Sequence, residues 1–310
     1  VGQYFGAGDR ENQERTTGTF LTLFLLLGAG MSVLAAWVAR PFMVFMGAPA
    51  LEDAVSYLAV SAWGLLFIFF YNALASILRA VGNSKAPLLC ILVSTVLNIV
   101  LDLLFVGPLG MGTAGAALAT VIAQGVSCLL ALGYLLRHRD IFSWSRTALR
   151  LRAEKVRSIL NIGIPCAIQM TVAGISWLVV TYLINDYGVA YSAANGFAVK
   201  IKDFSMIFIT AVSTAASSMI AQVLGARQYE RSKAILYSAM RMTLLMSVVL
   251  IVLVELGAPF LMGLFTNEAD VIAAGTLNLR VEIVGQIFYA IFLIYHALML
   301  GAGDTWWVLL

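Results

Sequence analysis

Apolar residues run along this chain in blocks, parted by short polar or glycine-bearing gaps. A helix needs about 20 apolar residues to cross a bilayer. The blocks predict membrane-spanning helices over 17–39, 54–80, 87–106, 112–136, 157–185, 190–224, 232–256 and 270–301. Residues 1–8 read as the end of one further helix, and 305–310 as the start of another. Pro87 suits a first helical turn, where its missing N–H matters least. Gly163 and Pro165 predict a kink near the start of the fifth full helix.

Composition agrees with this pattern. Hydrophobic residues make up 61% of the chain and charged ones 11%, against roughly 45–50% and 25% in soluble domains. A net charge of +3 carried in loops gives no basic patch for nucleic acid. The three cysteines, Cys90, Cys128 and Cys166, all fall in apolar helix. They read as packing residues and not as a disulfide framework.

The loop charges test the helix count. If residues 9–16 face the cytoplasm, one set of loops and helix ends carries Arg10, Arg15, Arg79, Lys85, seven basic residues from Arg137 to Arg157, and Arg227, Arg231, Lys233 and Arg241. The opposite set carries Arg40 alone. The positive-inside rule then places the basic set in the cytoplasm of a multi-pass protein of the cell membrane. The long basic segment in the middle, 137–156, reads as an amphipathic cytoplasmic linker between an N-terminal lobe, 1–136, and a C-terminal lobe, 157–310.

The two lobes repeat each other. Gly2-Gln3-Tyr4-Phe5-Gly6-Ala7 matches Ala221-Gln222-Val223-Leu224-Gly225-Ala226, and Pro41-Phe42 matches Pro259-Phe260. Ala80-Val81-Gly82-Asn83-Ser84 matches Gly301-Ala302-Gly303-Asp304-Thr305. The shift is even in helix number, so both copies share one orientation in the membrane. Parallel repeats of this kind are a transporter feature. Equal repeats require about 60 further residues before Val1 and about 50 or more after Leu310, about two helices at each end.

One residue carries the chemistry. Asp102 is the only charge between Lys85 and Arg137. A carboxylate in the hydrocarbon region costs about 3 kcal/mol, and such residues mark ion or proton pathways. Asn98 lies four residues away on the same helix face, and Ala116 and Thr120 are spaced likewise on the next helix. The turn Gly107-Pro108-Leu109-Gly110-Met111-Gly112 lies midway between Asp102 and Ala116, and midway between Asn98 and Thr120. An antiparallel hairpin brings such pairs to equal depth. Together they offer a carboxylate, an amide oxygen, a hydroxyl and a backbone carbonyl, the hard oxygen ligands of a hard cation. For Na+ the ligand side chains are Asp102, Asn98 and Thr120; a proton on Asp102 is the alternative occupant. The structural alternative is an Asn–Asp hydrogen-bonded cluster between helices.

These residues resemble the MATE family, the multidrug and toxic compound extrusion transporters, over essentially the whole chain. The resemblance rests on Gln3-Tyr4-Phe5-Gly6-Ala7, Tyr71-Asn72-Ala73, the run Leu78 to Pro87, Asn98-Ile99-Val100-Leu101-Asp102, the run Gly112 to Thr120, and Gly163-Ile164-Pro165. It implies an all-α architecture of twelve helices in two lobes. It also implies antiport of small organic cations and drugs, by alternating access, against Na+ or H+. No cofactor beyond the coupling ion is implied, and the protein is expected to be a monomer. In DinF-type members an Asn-x-x-x-Asp on the fifth helix, with an alanine and a threonine on the sixth, holds the cation. Asn98, Asp102, Ala116 and Thr120 match those positions. The first-helix aspartate of that site would precede Val1. NorM-type members carry an acidic residue on the seventh helix, where this chain has Gln169 and no Asp or Glu from Leu160 to Asn185.

Other polar residues within the spans are candidates for a substrate cavity: Tyr71, Gln169, Lys200, Asp203, Met206 and Glu282. Lys200 and Asp203 stand three apart and are placed to pair, with Lys202 on another face. Arg280 and Glu282, two apart, do not face one another. His296 reads as a bundle histidine. Two other classes fit less well. A dinucleotide fingerprint at Gly110, Gly112 and Gly115 follows a membrane helix where a strand is required. The Gly-Ala-Gly-Asp runs ending at Asp9 and Asp304 resemble an intramembrane protease loop, but they fall at helix ends and the repeat accounts for them. A flippase for lipid-linked substrates is the remaining alternative.

Overall fold

The computed structural model describes residues 1–47, 50–138, 142 and 147–309. Among these residues the chain is helical, with no strand. The elements are α1 (Gly2–Gly6), α2 (Arg10–Phe45), α3 (Leu51–Ala80), α4 (Lys85–Val106), α5 (Gly112–Arg137), α6 (Ala153–Asn185), α7 (Val189–Gly225), α8 (Tyr229–Gly263), α9 (Ala269–Val284), α10 (Gln286–Ala302) and α11 (Trp306–Leu309). α2 to α8 are each long and apolar enough to cross a membrane.

Two features correct the sequence reading. α2 and α8 run on through Pro41 and Pro259 to Phe45 and Gly263, beyond the ends expected at 39 and 256. A proline removes one intrahelical hydrogen bond, yet in lipid the neighbouring backbone groups have no partner outside the helix. The helix therefore continues. Pro165 lies inside a single α6, as the expected span 157–185 has it. The block 270–301 is not one helix: α9 and α10 meet at Gly285 with a bend of 40°.

The chain divides into two compact units, Val1–Ile159 and Leu160–Leu310. In the first unit α3 is the hub, packed against α2 and α5, and α4 lies on α5. The core gathers toward one end of the bundle, where Leu74, Ile77, Leu78, Cys90, Cys128 and Leu135 are buried together. Cys90 and Cys128 are free thiols in that packing. The segment after α5 is built into the same core. Phe142 and Ala148 are buried there, and the Thr22 hydroxyl donates to the Leu149 carbonyl at 2.8 Å. Gly18 permits this, because a methyl group there would overlap the Ala148 carbonyl oxygen. Arg139, Ser145 and Arg146 of the basic segment lie outside the described residues.

In the second unit α7 is the hub, packed on α8, α9 and α10. Its buried face reads Ala194, Asn195, Ala198, Lys202, Ser205, Ile209, Ser213, Ala216 and Ile220. These fall at the three- and four-residue spacing of one helix stripe. Cross-links at steadily rising numbers show α7 running alongside α9 and α10. The Asn278 side chain donates to Asn195 at 3.1 Å, and the Ser213 hydroxyl to the Leu293 carbonyl at 2.9 Å.

The internal repeat extends to the turns. Gly82, after α3, has φ +86°, and Gly303, after α10, has φ +81°. The next N–H reaches back five residues in both, Asn83 to Leu78 at 2.8 Å and Asp304 to Met299 at 3.0 Å. This is the left-handed helix stop. The turn after α1 and the turn after α7 share it as well, with Asp9 bonded to Tyr4 and Gln228 to Val223. The second copy fits more residues than the first between its proline and its final glycine turn, and that copy contains the break at Gly285.

Candidate functional site

α4 and α5 form the hairpin expected from the glycine-rich turn, which occupies 107–111 with Gly110 at φ +58°. The register follows from side-chain contacts. The Ser94 hydroxyl donates to the Ala123 carbonyl at 2.6 Å. The Asn98 Nδ2 reaches the Thr120 Oγ1 at 3.5 Å, the long limit of a hydrogen bond. The Thr120 hydroxyl donates to the Ala116 carbonyl at 3.1 Å. Each four-residue step along α4 is answered by three or four residues back along α5. Continued one step, this register sets Asp102 opposite Ala116.

Asp102 is partly buried, and its Oδ1 is fully enclosed with no hydrogen-bond partner. No ion pair among the described residues includes it. An ionised carboxylate accepts only. Thr120 has committed its proton to Ala116, leaving lone pairs, and Asn98 retains its amide oxygen. The local chemistry is thus a set of oxygen acceptors lacking a positive partner. Among the described residues no group of three or more His, Cys, Asp or Glu stands ready for a metal ion. The donor set suits a hard monovalent cation or a proton better than a transition metal.

The residues expected in a cavity disperse. Tyr71 is buried in the first unit's core, and its hydroxyl donates to the Pro87 carbonyl at 2.9 Å. Gln169 and Met206 are half-buried, on α6 and α7. Lys200 and Asp203 are exposed and form no ion pair with each other among the described residues. The lysine that does pair is Lys202, 3.3 Å from Glu282 and 3.9 Å from the centre of the Trp177 ring. That placement corrects the expected Lys200–Asp203 pair. Lys202 lies on the buried stripe of α7, which Lys200 does not share, and the small residues at 198 and 205 were the available signal. Arg280, as expected, does not face Glu282; it pairs with Glu255 at 3.4 Å. His296 stacks on Phe292 at 5.8 Å, and its Nε2 is buried without a hydrogen-bond partner.

At the far end of the second unit, the turn that repeats Gly82-Asn83-Ser84-Lys85 carries Trp306 in place of the lysine. Its Nε1 donates to the Asn161 side chain at 2.9 Å, and the Thr305 hydroxyl donates to the Ile162 carbonyl at 3.1 Å. In the first unit Asn83, the counterpart of Asp304, accepts from the Ala86 N–H of the first turn of α4 at 3.1 Å, while its amide donates to the Tyr134 hydroxyl at 2.7 Å.

Seven or eight apolar helical spans among the described residues, in a repeated module with a lone carboxylate in one hairpin, mark a multi-pass membrane protein of transporter type. The chain belongs to the MatE family, whose profile matches residues 1–104 and 165–310. It is 27% identical to the probable multidrug resistance protein YoeA of Bacillus subtilis (strain 168), over 99% of this chain and 68% of that protein. It is 28% identical to the probable multidrug resistance protein YpnP of the same organism, over 98% and 68%. Among solved structures it matches the outward-facing conformation of a multidrug resistance MATE family transporter of the MOP superfamily. That match has a TM-score of 0.93 and 25% identity, and covers 99% of this chain and 70% of the other. The protein is therefore a membrane transporter and not an enzyme.

Proposed function

We propose that this protein is a cation-coupled antiporter that exports small organic cations and drugs by alternating access, with Na+ or H+ bound at Asp102. The observation that carries the reading is the enclosed, unpartnered Oδ1 of Asp102 beside Asn98 and Thr120. A carboxylate enclosed in a membrane hairpin is costly unless a cation or a proton can reach it. Coupling follows from that. With the cation bound, α4 and α5 are drawn together around it; without it, the uncompensated carboxylate favours an arrangement that reaches water. The relatives' names, multidrug resistance proteins, support drugs as the substrate class. The basic loops support a cytoplasmic face at the turns after α3, α5 and α8's N-terminal side.

The test is dye export by protein in sealed vesicles, energised by a Na+ gradient or by a pH gradient in separate runs. Asp102→Asn keeps size and hydrogen bonding but removes the charge. The variant should insert at parental levels and let dye equilibrate, yet fail to concentrate it under either gradient. Whichever gradient drives the parent names the ion. Undiminished uphill transport by Asp102→Asn overturns the assignment and leaves Asp102 a packing residue.

A further inference from the structure

Trp177, Lys202 and Glu282 come from three helices of the second unit, α6, α7 and α9, and meet around one ammonium group. Lys202 is 8% exposed. Its Nζ lies 3.9 Å from the centre of the Trp177 ring and 3.3 Å from Glu282 Oε1. Lys202 does not exhaust the polar groups there. Glu282 Oε2 is buried without a hydrogen-bond partner. One turn further on, across the bend at Gly285, Gln286 is 1% exposed with both its amide oxygen and its amide nitrogen unpartnered. A structural ion pair would leave those three atoms without a purpose, and each is costly to enclose. Trp177 remains 39% exposed, so its ring can be reached from outside the unit.

An aromatic face joined to a carboxylate in a medium of low dielectric is a receptor for organic ammonium ions. We infer that this cluster binds an organic ammonium ion and that Lys202 is its tethered competitor. The arriving cation takes over the Trp177 face and Glu282, and Lys202 withdraws on its flexible four-carbon stem. In the absence of ligand Lys202 neutralises Glu282, since a buried carboxylate without a partner is strongly destabilising. A cationic solute finds the carboxylate that replaces its water shell; a neutral one of the same shape has no reason to displace Lys202. The inference rests on the reading of the protein as an exporter of organic cations. It concerns binding alone, so a failure of ion coupling at Asp102 leaves it standing.

The experiment titrates the purified, detergent-solubilised protein with tetramethylammonium while following tryptophan emission, with Trp177→Phe as the reference for the contribution of that ring. The parent should bind weakly. Lys202→Met removes the competitor at nearly constant volume, and affinity should rise at least tenfold. Adding Glu282→Gln to that variant should abolish the response, and the neutral isostere 2,2-dimethylpropane should give none in any form. Equal or weaker affinity in Lys202→Met overturns the inference, as does tight binding that survives Glu282→Gln or that extends to the neutral isostere. If Lys202→Met does not fold, Lys202→Arg decides. A guanidinium grips the carboxylate with two bonds, so affinity should fall below the parental value, and a rise overturns the inference.

Discussion

Arg227, in the turn after α7, holds φ +58° at the position where the turn after α1 has Gly8 at +69°. Both turns close with the same backward hydrogen bonds, so the backbone requirement is common to them although only one has the residue suited to it. Left-handed backbone costs a residue with a side chain about 1 kcal/mol or more. Arg227→Gly should therefore stabilise the second unit by about 1 kcal/mol, and Gly8→Ala should weaken the first by a similar amount. Thermal unfolding of the two variants in detergent, followed by helical circular dichroism, is the measurement. Opposite shifts in midpoint are expected.

Neutral ligands around Asp102 should matter in graded fashion. Thr120→Val removes a hydroxyl oxygen while keeping shape, and Asn98→Ala removes an amide oxygen. A neutral hydrogen-bonding group is worth roughly 0.5–1.5 kcal/mol. Each variant should retain uphill transport with the ion concentration for half-maximal rate raised about three- to tenfold. Transport rates across a series of ion concentrations test this. A loss as complete as that expected for Asp102→Asn would mean that these residues hold the hairpin together and do not merely add ligands.

Gly18 and Gly30 lie on the same helix, α2, in different surroundings. A methyl group at Gly18 meets the backbone at Ala148, whereas one at Gly30 meets nothing within 4 Å. Gly18→Ala should dislodge the 147–150 segment, break the Thr22–Leu149 hydrogen bond and cost about 2–3 kcal/mol. Gly30→Ala should be neutral or stabilising by up to about 1 kcal/mol, because alanine favours helix. Protease nicking between residues 139 and 152 gives a second readout, rising in Gly18→Ala only.

How much of this was legible beforehand depended on the range of the signal. Local patterns fixed the spans, since continuous apolar blocks and glycine turns each act within a few residues. The depth match of Asn98 with Thr120 was readable because a hairpin folds the sequence about a known centre. The corner at Gly285 was not: a glycine inside an otherwise continuous block does not by itself mark a bend, and the polar residues flanking it, Arg280, Glu282 and Gln286, read equally well as groups on one straight span. The Lys202–Glu282 pair joins residues 80 positions apart. Nothing local announces such a contact, and the three-residue spacing of Lys200 and Asp203 offered a more obvious pairing that the packed face of α7 rules out.

Asp9 caps α2. Its side chain accepts from the Asn12 side chain at 2.7 Å and from the Asn12 N–H at 3.0 Å. These bonds, the side-chain one first, hold the Asp9 carboxyl below the usual carboxylate range. A carboxyl depressed by folding adds stability that is complete above its unfolded value, about 3.9, and that is lost as the pH falls through the lower folded value. Protection of the amides in the first turn of α2, taken relative to their intrinsic exchange rate at each pH, should fall on acidification below about pH 4. In Asp9→Asn that protection should show no such step.

Orientation is open to a direct check. With Cys90, Cys128 and Cys166 replaced, single cysteines at Ser145 and Leu109 can be challenged in intact cells with a thiol reagent that does not cross membranes. The loop charges lead us to expect labelling at Leu109 and none at Ser145. The reverse result would turn the protein over in the membrane.

The corner at Gly285 also sets a scale of motion. α10 is 17 residues long, an arm of about 25 Å. A swing of only 10° at Gly285 carries the far end of that arm, at Gly303, through about 4 Å. Its counterpart in the first unit, α3, is one unbroken helix from Leu51 to Ala80. In the second unit, rearrangement among Glu282, Gln286 and their neighbours has leverage, and a shift at the fulcrum too small to break a contact becomes, at the opposite rim, a displacement as wide as a water molecule.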